Sequence, residues 1–158
     1  MNSGEIKKGF TLIELAIVIA IIGIFAAVTL AYLGRTKDSG GDAGVRQNLV
    51  NARSQAEVYY ANQSGSYDDV CSTVAARTIG KMVRASARAH GITPSDPYAD
   101  TDVGAWNREA CHDSPDEYAV WVPLSGSTSA TPRGLCIDSR NATEESNTPL
   151  LAGVTSCQ

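Results

Sequence analysis

The sequence has no cysteine before Cys71, no C-x-x-C pair, only two histidines and no excess of positive charge. A lipoprotein signal needs a cysteine at its cleavage point, so the late first cysteine excludes one. Neither His90 nor His112 stands at zinc-ligand spacing from Cys71, Cys111, Cys136 or Cys157. With 13 basic and 17 acidic residues the formal net charge is −4, which argues against a generic nucleic-acid binder. No serine, carboxylate pair or metal constellation has placed partners, so neither a catalytic site nor a metal or cofactor is expected. A length of 158 residues allows one small domain beside an anchor, not two cores.

What the sequence does contain is a long apolar run. From Phe10 to Leu33 the only charged residue is Glu14, and a helix of that length, about 36 Å, crosses a hydrocarbon layer of about 30 Å. Lys7 and Lys8 precede it and place that end in the cytoplasm by the positive-inside rule. A secretory signal peptide fits poorly: the run is too long, begins with Glu14, and offers only weak cleavage sites around Ala26 and Ala27. A plain single-span anchor leaves the carboxylate as a cost of roughly 2.5–3.5 kcal/mol without a reason.

All four cysteines follow the run, and two disulfides are the simplest use of them, which places the head outside the cytoplasm. Four cysteines permit three pairings; closing loops contiguous in sequence favours Cys71–Cys111 and Cys136–Cys157. Each bridge is expected to contribute about 2–4 kcal/mol to a head with a small core.

Gly9, Phe10, then Thr11-Leu12-Ile13-Glu14 and an apolar helix resemble the processing site of type IV pilins and the related pseudopilins of secretion systems. The resemblance covers about twenty residues. It implies that a prepilin peptidase cuts between Gly9 and Phe10, that the leader of residues 1–9 is lost, and that the new amino group of Phe10 is methylated. It also implies that Glu14 pairs with the N-terminus of a neighbouring subunit during assembly. A buried carboxylate with a partner costs far less than one without, so the pairing rewards a single axial register. The implied partners are identical or related pilin subunits, the peptidase, the inner-membrane assembly machinery and, before assembly, the membrane itself. The implied location is a single-pass precursor in the cytoplasmic membrane and then an extracellular filament on the cell surface. In the family the helix can unwind near a glycine with help from a proline further on; here Ala31 stands in that region and no proline precedes Pro94.

The expected fold is α+β: a long helical spine, membrane-spanning in its first half (residues 10–33) and continuing over 34–62, packed on a small antiparallel sheet in a head of residues 63–158 with two disulfides. Val45, Leu49, Ala52, Ala56, Tyr59 and Tyr60 share a helical face, with Arg53 and Glu57 at i, i+4 and a possible kink at Gly40-Gly41. Tyr59 and Tyr60 read as core contacts. Asn62-Gln63-Ser64-Gly65 ends this half. The pattern predicts a second helix over 72–89, closed by His90-Gly91, with Val74, Thr78, Met82, Ala85 and Ala89 facing inward. Beside that face Arg77, Lys81, Arg84 and Arg88 form a basic stripe. A solvated flank is the plainer reading of it; a phosphate-tracking patch for DNA is the sharper one, without an aromatic nearby for base stacking.

Asp96, Asp100 and Asp102 lie in a turn-rich loop and raise the question of calcium, although an EF-hand pattern is lacking; His112 reads as a loop residue. Strands are predicted over 118–124 and 134–138, paired antiparallel, with a third short strand within 149–157. Asn62-Gln63-Ser64 and Asn141-Ala142-Thr143 match glycosylation acceptors, and the 125–132 loop is rich in hydroxyls. The leading functional expectation is a structural subunit of a type IV pilus. A secretion-system pseudopilin is the near alternative, and an anchored extracytoplasmic enzyme the distant one.

Overall fold

The structure, a computed structural model, describes residues 10–94 and 98–158 and the side chains within them other than those of residues 31 and 33–37. Two compact units divide the chain, Met1–Lys37 and Asp38–Gln158. Helix α1 runs Leu12–Asn62 without a break through Gly40 and Gly41. Gly41 has a local reason: a Cβ there would lie 2.9 Å from Cε1 of the His90 ring, so the ring takes the space a side chain would need. The helix ends where expected, at Ser64 and Gly65 in the left-handed region, with the Gly65 N–H donating to the Tyr60 carbonyl.

Within the first unit the segment Leu12–Leu30 is long and apolar enough to cross a membrane, and its apolar side chains are exposed all round the helix. A helix apolar on every side belongs in lipid or among other helices, not in water.

In the second unit a four-stranded antiparallel sheet follows chain order: β1 Ala110–Asp113, β2 Tyr118–Pro123, β3 Gly134–Asp138 and β4 Thr143–Ser146. The predicted strands at 118–124 and 134–138 are β2 and β3, paired with Val120 opposite Ile137 and Pro123 opposite Gly134. β2 and β3 are buried on both faces, and alternation divides their side chains between two clusters. Tyr118, Val120, Val122, Leu135 and Ile137 join Val45, Leu49, Ala52, Ala56 and Tyr59 of α1 in one core. On the other face Ala119, Trp121 and Cys136 meet Ala110 and Leu150, with Val154 and Cys157 packed against them. Trp121 fits there because a Cβ on Gly134 would run into its ring.

Three expectations need correction. The third strand within 149–157 does not form: that segment is a coil, of which Leu150, Val154 and Cys157 pack on the second face of the sheet while Leu151 is exposed. The strand is instead β4, whose Thr143, Glu144 and Glu145 are exposed and carry no apolar period, and β1 was equally unforeseen. The second helix, α2, is Gly80–Ala89, eight residues shorter at its start than predicted. Residues 72–79 turn back: Arg77 has φ 67°, Thr78 Oγ1 donates to the Ser72 and Ala75 carbonyls, and Ile79 N–H donates to Val70 O. The buried face changes with it, to Gly80, Val83, Ser86 and Ala87, while Val74, Ala85 and Ala89 are exposed. Of the predicted face, Met82 packs against the core and Thr78 is buried in the turn. The helix ends at His90 and Gly91 as expected, with Gly91 at φ 71° and Ile92 N–H donating to Ala87 O.

The disulfides are Cys71–Cys111, tying the turn before α2 to β1, and Cys136–Cys157, tying β3 to the C-terminal coil. Because that coil has no ladder of its own, the second bridge holds the cover over Trp121. Cys157→Ser is therefore expected to cost about 2–4 kcal/mol and to make Trp121 accessible to acrylamide. Thermal unfolding by circular dichroism, with fluorescence quenching alongside, checks both.

Candidate functional site

At the start of α1, Thr11 and Glu14 hold one another. Thr11 N–H donates to Glu14 Oε2 at 2.9 Å, the Thr11 hydroxyl donates to the same oxygen at 2.8 Å, and Glu14 N–H donates back to Thr11 Oγ1 at 3.3 Å. This is a capping box: the N-cap threonine and the glutamate three residues on each satisfy a backbone N–H that the helix leaves without a partner. The carboxylate also lies where the helix dipole favours negative charge. Both donors converge on Oε2, leaving Oε1 for another group. Its sequence signal is Thr-x-x-Glu ahead of an apolar run, which the sequence analysis did not include. Phe10 directly precedes the box and is exposed; Gly9 and the rest of the 1–9 leader lie outside the described residues.

In the head the predicted features separate. The basic stripe is broken, because Arg77 belongs to the turn before α2, where its carbonyl accepts from Gln55 Nε2. Lys81, Arg84 and Arg88 remain on α2, and Arg84 is half-buried. The four-residue stripe expected from the sequence is thus reduced to three cations on a ten-residue helix. Arg53 and Glu57 turn to other groups: Arg53 donates to Asn141 Oδ1 at 3.1 Å and to the Ala142 carbonyl, and Glu57 Oε1 accepts from the Tyr67 hydroxyl at 3.0 Å. Tyr59 is buried with its hydroxyl on Asp68 O, whereas Tyr60 is more exposed and stacks against Tyr67 at 4.5 Å.

Of the three loop aspartates, Asp96 lies outside the described residues. Asp102 Oδ2 accepts from Ala99 N–H, and Asp100 Oδ1 from Asp113 N–H. Among the described residues no group of three or more His, Cys, Asp or Glu is placed to hold a metal ion. His112 is not a loop residue: it is fully buried in β1, with Nδ1 2.9 Å from Val154 O and Nε2 2.7 Å from Asp102 O. A ring with one proton serves one carbonyl, and the doubly protonated ring serves both.

His90, Asp42 and Ser125 also meet, but not as a nucleophilic triad. Asp42 Oδ2 accepts from the Ser125 hydroxyl at 2.7 Å, and Asp42 Oδ1 lies 3.0 Å from His90 Nε2, close but not in line with the ring N–H. The carboxylate sits between hydroxyl and imidazole, so the imidazole does not face the serine as it would in a triad. The three residues tie α1, the end of α2 and the β2–β3 loop together.

The comparisons concern the N-terminal region and part of the head. Residues 6–30 match the model of the prokaryotic N-terminal methylation motif. The chain is similar to fimbrial protein EcpC of Eikenella corrodens, with 39% identity over 50% of this chain and 52% of that protein. It is also similar to the type IV major fimbrial protein FimA of Dichelobacter nodosus, with 34% identity over 59% of this chain and 62% of that protein. The alignments thus span between half and two thirds of these relatives. No solved structure matches. The chain carries the methylation motif and is related in sequence to type IV fimbrial proteins.

Among the described carboxyl groups of the head Asp113 is displaced furthest. Burial pushes its carboxyl up to about 6, reinforced by Asp100, Asp69 and Asp68 and opposed by the hydrogen bond from Cys71 N–H. A folded-state value above the ordinary 3.8 means that the stabilising contribution is complete below about pH 4 and is lost as pH rises through 6. Asp113→Asn, which keeps an acceptor for Cys71 N–H, is expected to be more stable than the parent by about 1 kcal/mol above pH 6, after solvent screening. The difference should vanish near pH 4. Glu117 and Glu145, held low by Arg140 and by Arg46 with Arg133, titrate the opposite way but cancel in this comparison. Parallel denaturation curves across pH measure it.

Proposed function

We propose that this chain is a structural subunit of a type IV pilus, anchored by Leu12–Leu30 and assembled through it. The observation that carries this reading is the Thr11–Glu14 box at the mouth of a helix apolar on every side, directly after Gly9-Phe10. A prepilin peptidase cuts between Gly9 and Phe10 and the new Phe10 amino group is methylated; the box survives, since Thr11 keeps its amide. The fimbrial relatives support the filament over the secretion pseudopilus.

In this reading Glu14 has two roles in sequence. Before assembly Thr11 lowers the cost of holding a carboxylate in lipid by supplying two donors. During assembly the open oxygen accepts the cationic N-terminus of a neighbouring subunit, and each uncompensated charge away from register disfavours other stackings. The head, with its two disulfides, stays on the outer side of the membrane and then on the filament surface. Residues 10–33 form the filament core, residues 34–62 continue the spine, and residues 63–158 form the head.

Glu14→Leu is expected to insert and to be cut at Phe10 normally, but to lose most filament yield. Deleting one partner leaves the neighbour's ammonium uncompensated, at a cost of about 3–5 kcal/mol per contact. Mass spectrometry of sheared filaments and of the membrane fraction reads both: N-methylated Phe10 in the membrane pool with few filaments is the expected result, and parental filament yield would overturn the role of Glu14.

A further inference from the structure

An open groove in the head, of about 840 Å³, is bordered by a tight turn that presents Trp106 and Asn107 at its tip. Ala105 and Arg108 close the turn with two backbone hydrogen bonds, of 2.9 and 3.1 Å. The turn is fixed from behind. Gly104 N–H donates to Leu150 O at 2.8 Å, and a Cβ at Gly104 would lie 2.8 Å from the ring of Trp121, whose indole N–H reaches Ala105 O at 3.5 Å. Glu109, on the other side, is fully buried and accepts from the Tyr98 hydroxyl.

On this rigid base stand three side chains without internal work. Trp106 is 44% exposed although it is one of only two tryptophans, the other being fully buried. Among the described residues no protein group bonds to the Asn107 amide or the Arg108 guanidinium. Thr93 and Ser127 add hydroxyls to the rest of the groove, while that of Ser125 is engaged by Asp42. A flat aromatic face, an amide that both donates and accepts, a guanidinium that only donates, and the hydroxyls of Thr93 and Ser127 match one ligand chemistry well. A pyranose ring has an apolar C–H face that lies on an indole, and a rim of hydroxyls that both donate and accept.

Other ligands fit less well. An anion would meet Arg108 but also Asp38 on the same groove. A buried peptide side chain would need apolar pockets, and this groove is open and mostly polar. We propose that the Trp106–Arg108 turn and the groove beside it bind neutral saccharides, with Trp106 as the stacking platform and Asn107 and Arg108 as the hydroxyl-reading groups.

The site can be tested without assembly, on the full chain in a detergent with no sugar headgroup. Trp121 is fully buried, so acrylamide quenching reports on Trp106. Titration with lactose and with N,N′-diacetylchitobiose should give a saturable change in emission and shield Trp106 from the quencher for at least one of them. Trp106→Ala should weaken binding of the same sugar, read by calorimetry, roughly tenfold or more, as for loss of an aromatic anchor. Trp106→Tyr should retain part of it, and Trp121 emission certifies that the Trp106→Ala variant is folded. No saturable change with either sugar, or equal affinity in Trp106→Ala, would overturn the proposal. So would Trp106 already shielded in sugar-free oligomers of the chain, which would make the turn a contact between copies.

Discussion

A strand without a solvent face needs two covers, and the architecture of the head follows from that requirement on β2. The sequence Tyr118-Ala119-Val120-Trp121-Val122 has no polar side of the kind that lets an antiparallel strand face water. One cover is regular: the α1 stripe Val45, Leu49, Ala52, Ala56 and Tyr59 repeats at helical spacing and fits the even-numbered side chains. The other is a coil, which cannot satisfy its backbone by periodic hydrogen bonds. It is therefore held point by point, by Gly104 N–H on Leu150 O, His112 on Val154 O, Cys157 N–H on Asp138 Oδ2 and the Cys136–Cys157 bridge. The indole of Trp121 is what the coil protects.

The two units solve opposite problems with charge. In the apolar segment one carboxylate is present, and it is kept near the helix mouth where Thr11 and the dipole both favour it. In the head, carboxylates knit separate elements together: Asp42 joins α1 to Ser125, Asp138 takes Arg140, Ala142 and Cys157 backbone N–H groups, and Asp113 takes that of Cys71. Through Ser125, Cys71 and Cys157 these acids bridge stretches of chain that share no ladder, while the Asp138 bonds to Arg140 and Ala142 close the β3–β4 turn.

Legibility followed the range of the interaction. The apolar run, the α1 stripe, β2 and β3 are set by local pattern and were read closely from the residues. The start of α2 was misread because residues 72–79 satisfy a helical pattern locally, while Cys71–Cys111 and the Ile79 N–H to Val70 O bond impose a turn from outside it. β4 is Thr-Glu-Glu-Ser, which looks like loop because its partner, not its own side chains, makes it a strand. The apolar residues of 149–157 looked like a strand because burial was mistaken for pairing. At the N-terminus the Thr11–Glu14 box is local and has a sequence signal, Thr-x-x-Glu ahead of an apolar run. The burial of His112 had none, since its acceptors come from two distant segments.

β4 also has a consequence for crowding. It is one of the sheet's two outer strands, β1 being the other, and an outer strand offers unpaired backbone groups to any second chain that arrives in register. Here Glu144 and Glu145 stand exposed on it, and Glu145 is engaged by Arg46 and Arg133. Docking another copy edge to edge would bring like charges together and break those ion pairs. In the proposed filament, where subunits stand beside copies of one another, this edge disfavours sheet-to-sheet pairing and leaves the ordering of neighbours to other surfaces.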